Sequence, residues 1–185
     1  MEKELLIDAK HRMDKAVGAV RTEFNTVRSG RASVGLLDRI QVDYYGTRTP
    51  LNQLAQISVS DARLLTITPY DKSAIKEIER AVLESDLGLN PANDGNVVRL
   101  PIPQLTEDRR KELVKVARHI AEEGRIAVRN VRRDVIHHLK DLDRAGEAQA
   151  DEVHRAEERV QKHTDEHVKR IDDVLKGKEA EILEV

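Results

Sequence analysis

From Leu6 to Val27 the apolar residues recur at intervals of three and four: Leu6, Ala9, Met13, Val17, Val20, Phe24 and Val27. Such intervals put one helix face on a core, so the spacing predicts a first long helix. A second stripe follows Pro103, through Leu113, Ala117, Ile120, Gly124, Val128, Val131 and Val135. Thr106 is placed to cap that helix, Glu107 and Asp108 suit its positive end, and Ala145-Gly146 offers a stop just after Arg144. A third pattern sets Val153, Val160, His167 and Val174 seven apart beside a second row of Val168, Leu175 and Ile182, carrying a third helix almost to Val185. Two helices near forty residues would each be about 60 Å long. Narrow stripes on helices of this length need partners, and near-heptad spacing favours shallow crossing angles, so an antiparallel three-helix bundle built from both chain ends is expected.

Residues 31–103 follow a different period. Ile40, Val42 and Tyr44 alternate with Arg39, Gln41 and Asp43, and Tyr45-Gly46-Thr47 reads as the turn of a hairpin. Leu54–Val59 and Leu64–Thr68 are further strands, split by Ser60-Asp61. Helical spacing returns from Asp71 to about Leu87 with Ile75, Ile78 and Val82 on one face, Asp71 or Ser73 as cap and Gly88 as stop; Asn93-Asp94-Gly95 then turns into a strand over Val97–Leu100. The fold class is therefore α+β: a long bundle over 1–30 and 104–185, with a small α+β (β/α/β) domain over 31–103 inserted into it. Two chain segments must connect the parts, near 29–33 and 101–105. A double connection forbids free tumbling and permits bending, and Gly30 on one side with Pro101 and Pro103 on the other suits a hinge. The alternative is that these residues merely end secondary elements.

Composition sharpens this picture. Charged residues make up 36% of the 185 and hydrophobic ones 39%, more surface and less interior than a compact chain of this length requires. An elongated helical protein has that balance. The absence of cysteine removes disulfide scaffolds, cysteine-ligated metals and cysteine nucleophiles, and is compatible with a reducing cytoplasm. Acids at Glu2 and Glu4 and the lack of a long apolar run predict neither a secretory signal nor a membrane span. Phe24, Tyr44, Tyr45 and Tyr70 are the only aromatic residues, too few for a base-stacking surface.

Net charge is only −2, but its distribution is uneven. Residues 109–133 hold nine bases and three acids, whereas residues 134–185 hold nine bases and fifteen acids. Projected at about 100° per residue, Lys111, Arg118, Arg125, Arg129 and Arg132 fall within about 60° of arc to one side of the apolar row. Guanidinium forks match phosphate oxygens, so this row is a candidate RNA-backbone contact. The alternative is a solvated face whose bases pair with acids on neighbouring helices.

Other chemistry has weaker carriers. His163 and His167 stand four apart, a metal-compatible spacing, but Glu166 is not where a zinc-protease helix needs it, and His167 falls on a core row. A packing histidine is the better reading, with no metal expected. There is no phosphate loop followed by Lys-Ser or Lys-Thr and no Gly-x-Ser-x-Gly elbow, so neither nucleotide hydrolysis nor serine hydrolysis has a carrier, and no cofactor is expected. A helical scaffold that packs between chains, and a helical metalloenzyme resting on the histidines, are the competing classes. The inserted α+β unit argues against the first.

The ordered motifs resemble the bacterial ribosome recycling factor family. They are Val27-Arg28-Ser29-Gly30-Arg31-Ala32-Ser33, Asp43-Tyr44-Tyr45-Gly46 with Thr49-Pro50-Leu51, Leu89-Asn90-Pro91, Pro103 through Leu113, Val128-Arg129-Asn130-Val131-Arg132-Arg133-Asp134 and Lys178 through Val185. The resemblance spans essentially the whole chain. It implies an L-shaped, two-domain protein with roughly the outline of a transfer RNA, in the cytoplasm and monomeric, that binds the post-termination ribosome and, with elongation factor G and GTP, splits it into subunits and releases it from mRNA. It implies large-subunit ribosomal RNA as the partner of the three-helix arm and a smaller domain that swings about a hinge at Gly30, Arg31, Pro103, Gln104 and Leu105. Arg129 and Arg132 are then the first candidates for RNA contact, with Arg28, Arg31, Arg110 and Arg133 behind them.

Overall fold

A computed structural model describes residues 1–27 and 30–184; the expected RNA contact at Arg28, and Ser29 in the first connection, lie outside the described residues. The chain divides into two compact units, Met1–Ser29 with Glu107–Val185, and Gly30–Thr106.

The first unit is three helices: α1 (Glu2–Phe24), α4 (Glu107–Arg144) and α5 (Ala150–Leu183). Their ion pairs fix their directions. Arg12 on α1 meets Asp134 on α4 while Val20 lies against Gly124, and Arg118 and Arg125 on α4 meet Glu179 and Asp172 on α5, so α4 runs antiparallel to both neighbours. α1 and α5, both antiparallel to α4, therefore run parallel, and Asp14 on α1 joins them by meeting His167 and Arg170. The stripes expected on α1 and α4 face this core, with Ala9, Met13, Val17, Val20 and Phe24 of α1 and Leu113, Ala117, Ile120, Gly124, Val128, Val131 and Val135 of α4 buried. Gly124 lies at the closest approach, where an added Cβ would overlap Val20 Cγ2 and stand 3.3 Å from Ile171 Cδ1. α4 ends in a Schellman motif: Gly146 has φ +68°, and the N–H groups of Gly146 and Glu147 donate to the carbonyls of Asp143 and Leu142.

The seven-spaced rows expected on α5 are only partly followed. Val153, Val160 and His167 of the first row and Ile182 of the second are buried, but Val174, Val168 and Leu175 are half-buried, while Ala156, Thr164 and Ile171 complete the buried face. The stripe advances by three and four at about 3.6 residues per turn, as a straight helix requires, rather than holding the 3.5 of a supercoil.

The second unit contains a hairpin, β1 (Gln41–Tyr44) with β2 (Thr47–Pro50), and a four-stranded antiparallel sheet. That sheet has the order β3 (Ala55–Asp61), β4 (Leu64–Pro69), β6 (Val98–Pro101), β5 (Ala92–Asn93). Tyr45 and Gly46 both have positive φ, +50° and +81°, as the two-residue turn of a twisted hairpin demands. Between β2 and β3 lies one helical turn, α2 (Leu51–Leu54), which was not expected and takes Leu54 from the strand predicted over Leu54–Val59. The expected helix over 71–87 is shorter: a 3₁₀ turn at Lys72–Ala74 leads into α3 (Ile75–Glu84). Its start is fastened by Asp71, whose carboxylate accepts from Ser73 N (2.9 Å), Ser73 Oγ (2.8 Å) and Tyr44 Oη (2.8 Å). Its end comes early because Ser85 is extended and its hydroxyl donates to the carbonyl of Val82. Val42, Leu65, Ile67, Ile78, Val98 and Leu100 form a core separate from that of the bundle.

Candidate RNA-binding face and connecting segments

The basic row of α4 is not uniformly available. Near its start, Arg109 pairs with Glu112 (2.8 Å) and Lys111 with Glu107 (3.4 Å). Arg118 Nε donates to Glu179 across the helix pair at 2.7 Å. Arg125 is gripped hardest, with Nη2 2.6 Å from Asp172, Nη1 3.0 Å from Glu122 and only 18% of its side chain exposed. Burial opposes charge on that guanidinium, but the hydrogen bonds to Asp172 and Glu122 outweigh it and hold the group more firmly protonated than usual. The row is therefore interrupted at Arg125, which bridges α4 and α5.

Beyond that point the hold changes character. Arg129, 42% exposed, reaches Glu122 at 3.5 Å. Arg132 Nη1 donates to the neutral amide oxygen of Gln161 at 3.3 Å, and Gln161 is oriented by its own amide N–H donating to Asp165 (2.9 Å). Arg133 donates to the amide oxygen of Asn130 at 2.7 Å. An amide oxygen directs a guanidinium without neutralising it. Arg132 and Arg133 are thus oriented by amides and keep their full field, whereas Arg118 and Arg125 face carboxylates. Of the other expected contacts, Arg110 on α4 is half-exposed with Nε buried and lacking a hydrogen-bond partner, and Arg31 is exposed in the other unit. The structure does not gather Arg31 with the α4 arginines in one unit.

Glu122, Asp172, Glu179, Gln161 and Asp165, which grade the arginines, were not singled out from sequence. The signal was present in the turn at Gly146: helices folded back at that point bring residues 118, 125 and 132 opposite residues 179, 172 and 161.

The two connecting segments converge on one turn. Ala32 N donates to Ala62 O (2.7 Å) and Ile102 N to Arg63 O (2.8 Å), adjacent residues between β3 and β4. Gly30 has φ +78°, and a Cβ on it would stand 3.1 Å from Leu105 Cγ, so the segments run side by side just outside these fastenings.

His167 is fully buried with both ring nitrogens engaged, Nε2 with Asp14 Oδ1 at 2.6 Å and Nδ1 with the carbonyl of His163 at 2.5 Å. Neither nitrogen is left to ligate a metal, and no metal-binding group of three or more His, Cys, Asp or Glu occurs among the described residues. No helix among those residues is long and apolar enough to cross a membrane.

Comparison with known proteins places this arrangement. The family model described as ribosome recycling factor matches residues 20–183. The ribosome-recycling factor of Rubrobacter xylanophilus is 57% identical over 180 residues, 97% of each chain, and that of Bacillus subtilis is 56% identical over the full length of both. A solution structure of a ribosome recycling factor superposes with a TM-score of 0.77 at 40% identity, covering 100% of this chain and 98% of the other. The T. thermophilus ribosome recycling factor, described with E. coli elongation factor G on the E. coli post-termination complex, gives 0.65 at 42% identity over all of both chains. On this evidence the chain belongs to the ribosome recycling factor family.

Proposed function

We propose that this protein binds the post-termination ribosome and, together with elongation factor G and GTP, splits it into subunits and frees it from mRNA. The observation that carries the molecular part of this reading is the grading of the α4 arginines: Arg132 and Arg133 are oriented by neutral amides and Arg129 is held loosely at 3.5 Å. Phosphates attract guanidinium groups regardless of sequence, and a row fixed on a long helix registers a nucleic-acid backbone rather than reading bases. Arg129 and Arg132 are the first contacts with large-subunit ribosomal RNA, with Arg133, Arg110, Arg31 and Arg28 contributing around them. The chain is not an enzyme; the partner GTPase supplies the energy, and the bundle delivers the displacement.

The hinge in this reading lies at Gly30, Arg31, Pro103, Gln104 and Leu105. The hydrogen bonds at Ala32 and Ile102 fasten both segments to the β3–β4 turn, so bending concentrates beyond them. The protein works as a cytoplasmic monomer.

A splitting assay on post-termination ribosomes, with and without elongation factor G and GTP, tests the reading. Subunits should appear only with all components present, and no splitting by the complete mixture would overturn it. Arg132→Ala should weaken ribosome binding and lower the salt dependence by about one counterion while helix content and melting stay unchanged. Binding equal to that of the unaltered protein would remove Arg132 from the interface.

A further inference from the structure

α4 and α5 exchange ion pairs at a fixed step. Arg118 meets Glu179 and Arg125 meets Asp172, so seven residues forward on α4 answer seven residues back on α5. Seven residues make nearly two turns and return a side chain to almost the same direction, which keeps the exchange in register. The next step joins Arg132 to Asp165. Their charges suit a third rung, yet that rung is open: Arg132 Nη1 donates to Gln161 Oε1 at 3.3 Å, and Gln161 Nε2 donates to Asp165 Oδ1 at 2.9 Å. One primary amide takes both partners, its oxygen facing the guanidinium and its nitrogen the carboxylate. Asp165 meets no cation among the described residues, although Lys162 and Lys169 stand about one turn away on either side of it.

We propose that Gln161 is a positioning residue that holds open a latent Arg132–Asp165 ion pair and so keeps the Arg132 guanidinium available to phosphate. This rests on the reading of Arg132 as an RNA contact. An amide has the right chemistry for the task. Its carbonyl directs the guanidinium and its N–H group directs the carboxylate, and it carries no charge to cancel either. With the amide removed, the two ions face each other along the seam, and the pairing already closed at Arg118 and Arg125 closes at Arg132 as well.

The effect falls on affinity and leaves the fold alone. Gln161 and Asp165 are exposed, so neither supports the core. A guanidinium paired with Asp165 must be released before it meets a phosphate, and that release weakens binding by the strength of the pair. An exposed pair is weak and screened by salt, so the loss is greatest at low ionic strength and fades as salt is added.

Binding of the labelled full chain to large ribosomal subunits at low salt, for the unaltered protein, Gln161→Ala, Asp165→Asn and the double variant, tests this. Gln161→Ala should weaken binding by about two- to fivefold. Asp165→Asn should recover that loss when Gln161 is absent and change binding much less when it is present, because the amide already keeps the carboxylate from Arg132. Equal gains from Asp165→Asn in both backgrounds would reflect only the removal of a negative charge and would overturn the proposal, as would undiminished binding by Gln161→Ala. A merely structural role for Gln161 predicts a lowered melting temperature with no rescue by Asp165→Asn, and that result would overturn it too. Arg132→Ala separates this inference from the reading beneath it. If that variant binds like the unaltered protein, both fall; if it binds weakly while Gln161→Ala binds normally, only the positioning role is lost.

Discussion

Gly124 sits within the 38-residue α4, where an ordinary helix would gain about 1 kcal/mol from alanine. The packing demands the opposite outcome. A Cβ at that position would overlap Val20 Cγ2 and press against Ile171 Cδ1 at 3.3 Å. Val20 is 3% exposed, and as a β-branched residue in a helix it has essentially one comfortable χ1, so its methyl cannot swing aside. Relief requires α1 and α4 to separate along a contact that is otherwise fully packed. Overpacking costs about 1–3 kcal/mol, and an overlap with so little freedom belongs at the upper end. Subtracting the propensity gain leaves Gly124→Ala destabilising by about 2 kcal/mol. Equilibrium urea unfolding followed by helix ellipticity measures this. The decisive control is the same substitution beside Val20→Ala, where the obstructing methyls are gone; there Gly124→Ala should stabilise by about 1 kcal/mol, a coupling of about 3 kcal/mol between the sites. An increase in stability from Gly124→Ala with Val20 intact would refute the claim that this glycine exists for close helix approach.

Other outcomes follow from the same contacts. Arg125→Ala should lower the stability of the bundle by up to about 1 kcal/mol, since its partly buried guanidinium joins two helices, whereas Arg129→Ala should leave unfolding unchanged and weaken ribosome binding; comparing urea midpoints with binding for both separates the roles. Gly30→Ala places a side chain at φ +78°, 3.1 Å from Leu105 Cγ, and should cost about 1–2 kcal/mol of stability in the smaller unit, read by thermal unfolding. Asp94 is held down to about 2 by the backbone N–H groups of Val97 and Asn96 and then by Arg99. Its contribution is therefore complete above its ordinary value of 3.8 and lost as pH falls through about 2. Asp94→Ala should destabilise at neutral pH, and the difference from the unaltered chain should vanish at the acid end of that range.

The helices were legible because their apolar stripes are long: Ala9 to Phe24 and Leu113 to Val135 repeat often enough that polar interruptions do not hide the period. The buried face of α5 is less regular than its seven-spaced rows. Seven-spaced valines invite a supercoil reading, whereas Ala156 and Thr164 are small or polar residues that carry little hydrophobic signal yet sit at the core. Short elements escaped for a related reason. Leu51–Leu54 is a single turn, too short to show a period, and its last residue, Leu54, reads equally well as the start of the strand that follows. Charge alone found the α4 row, and the family resemblance put Arg129 and Arg132 first and added Arg28, Arg31, Arg110 and Arg133; that Arg118 and Arg125 are held by carboxylates was not legible, because it depends on which side chain of α5 lies opposite each one. His167 was recognised as a core position; that its partners would both be acceptors needed the docking of α1.

The uneven charge of the chain takes on a definite meaning once those partners are known. The acid surplus of α5 is not simply a counterweight to the basic part of α4. Asp172 and Glu179 meet Arg125 and Arg118 across the hairpin, so part of the surplus works inside the bundle, joining helices whose apolar seam is narrow. Where the same seam reaches Arg132, α5 presents Gln161, and the acid beside it, Asp165, orients the amide instead of meeting the arginine. Along one helix the guanidinium groups therefore pass from joining the fold to facing outward, and the change is made by an amide on the opposing helix. A substitution on α5 can then tune RNA affinity without touching a contact residue: replacing Gln161 by an acid would extend the internal pairing one step further and draw Arg132 into the fold.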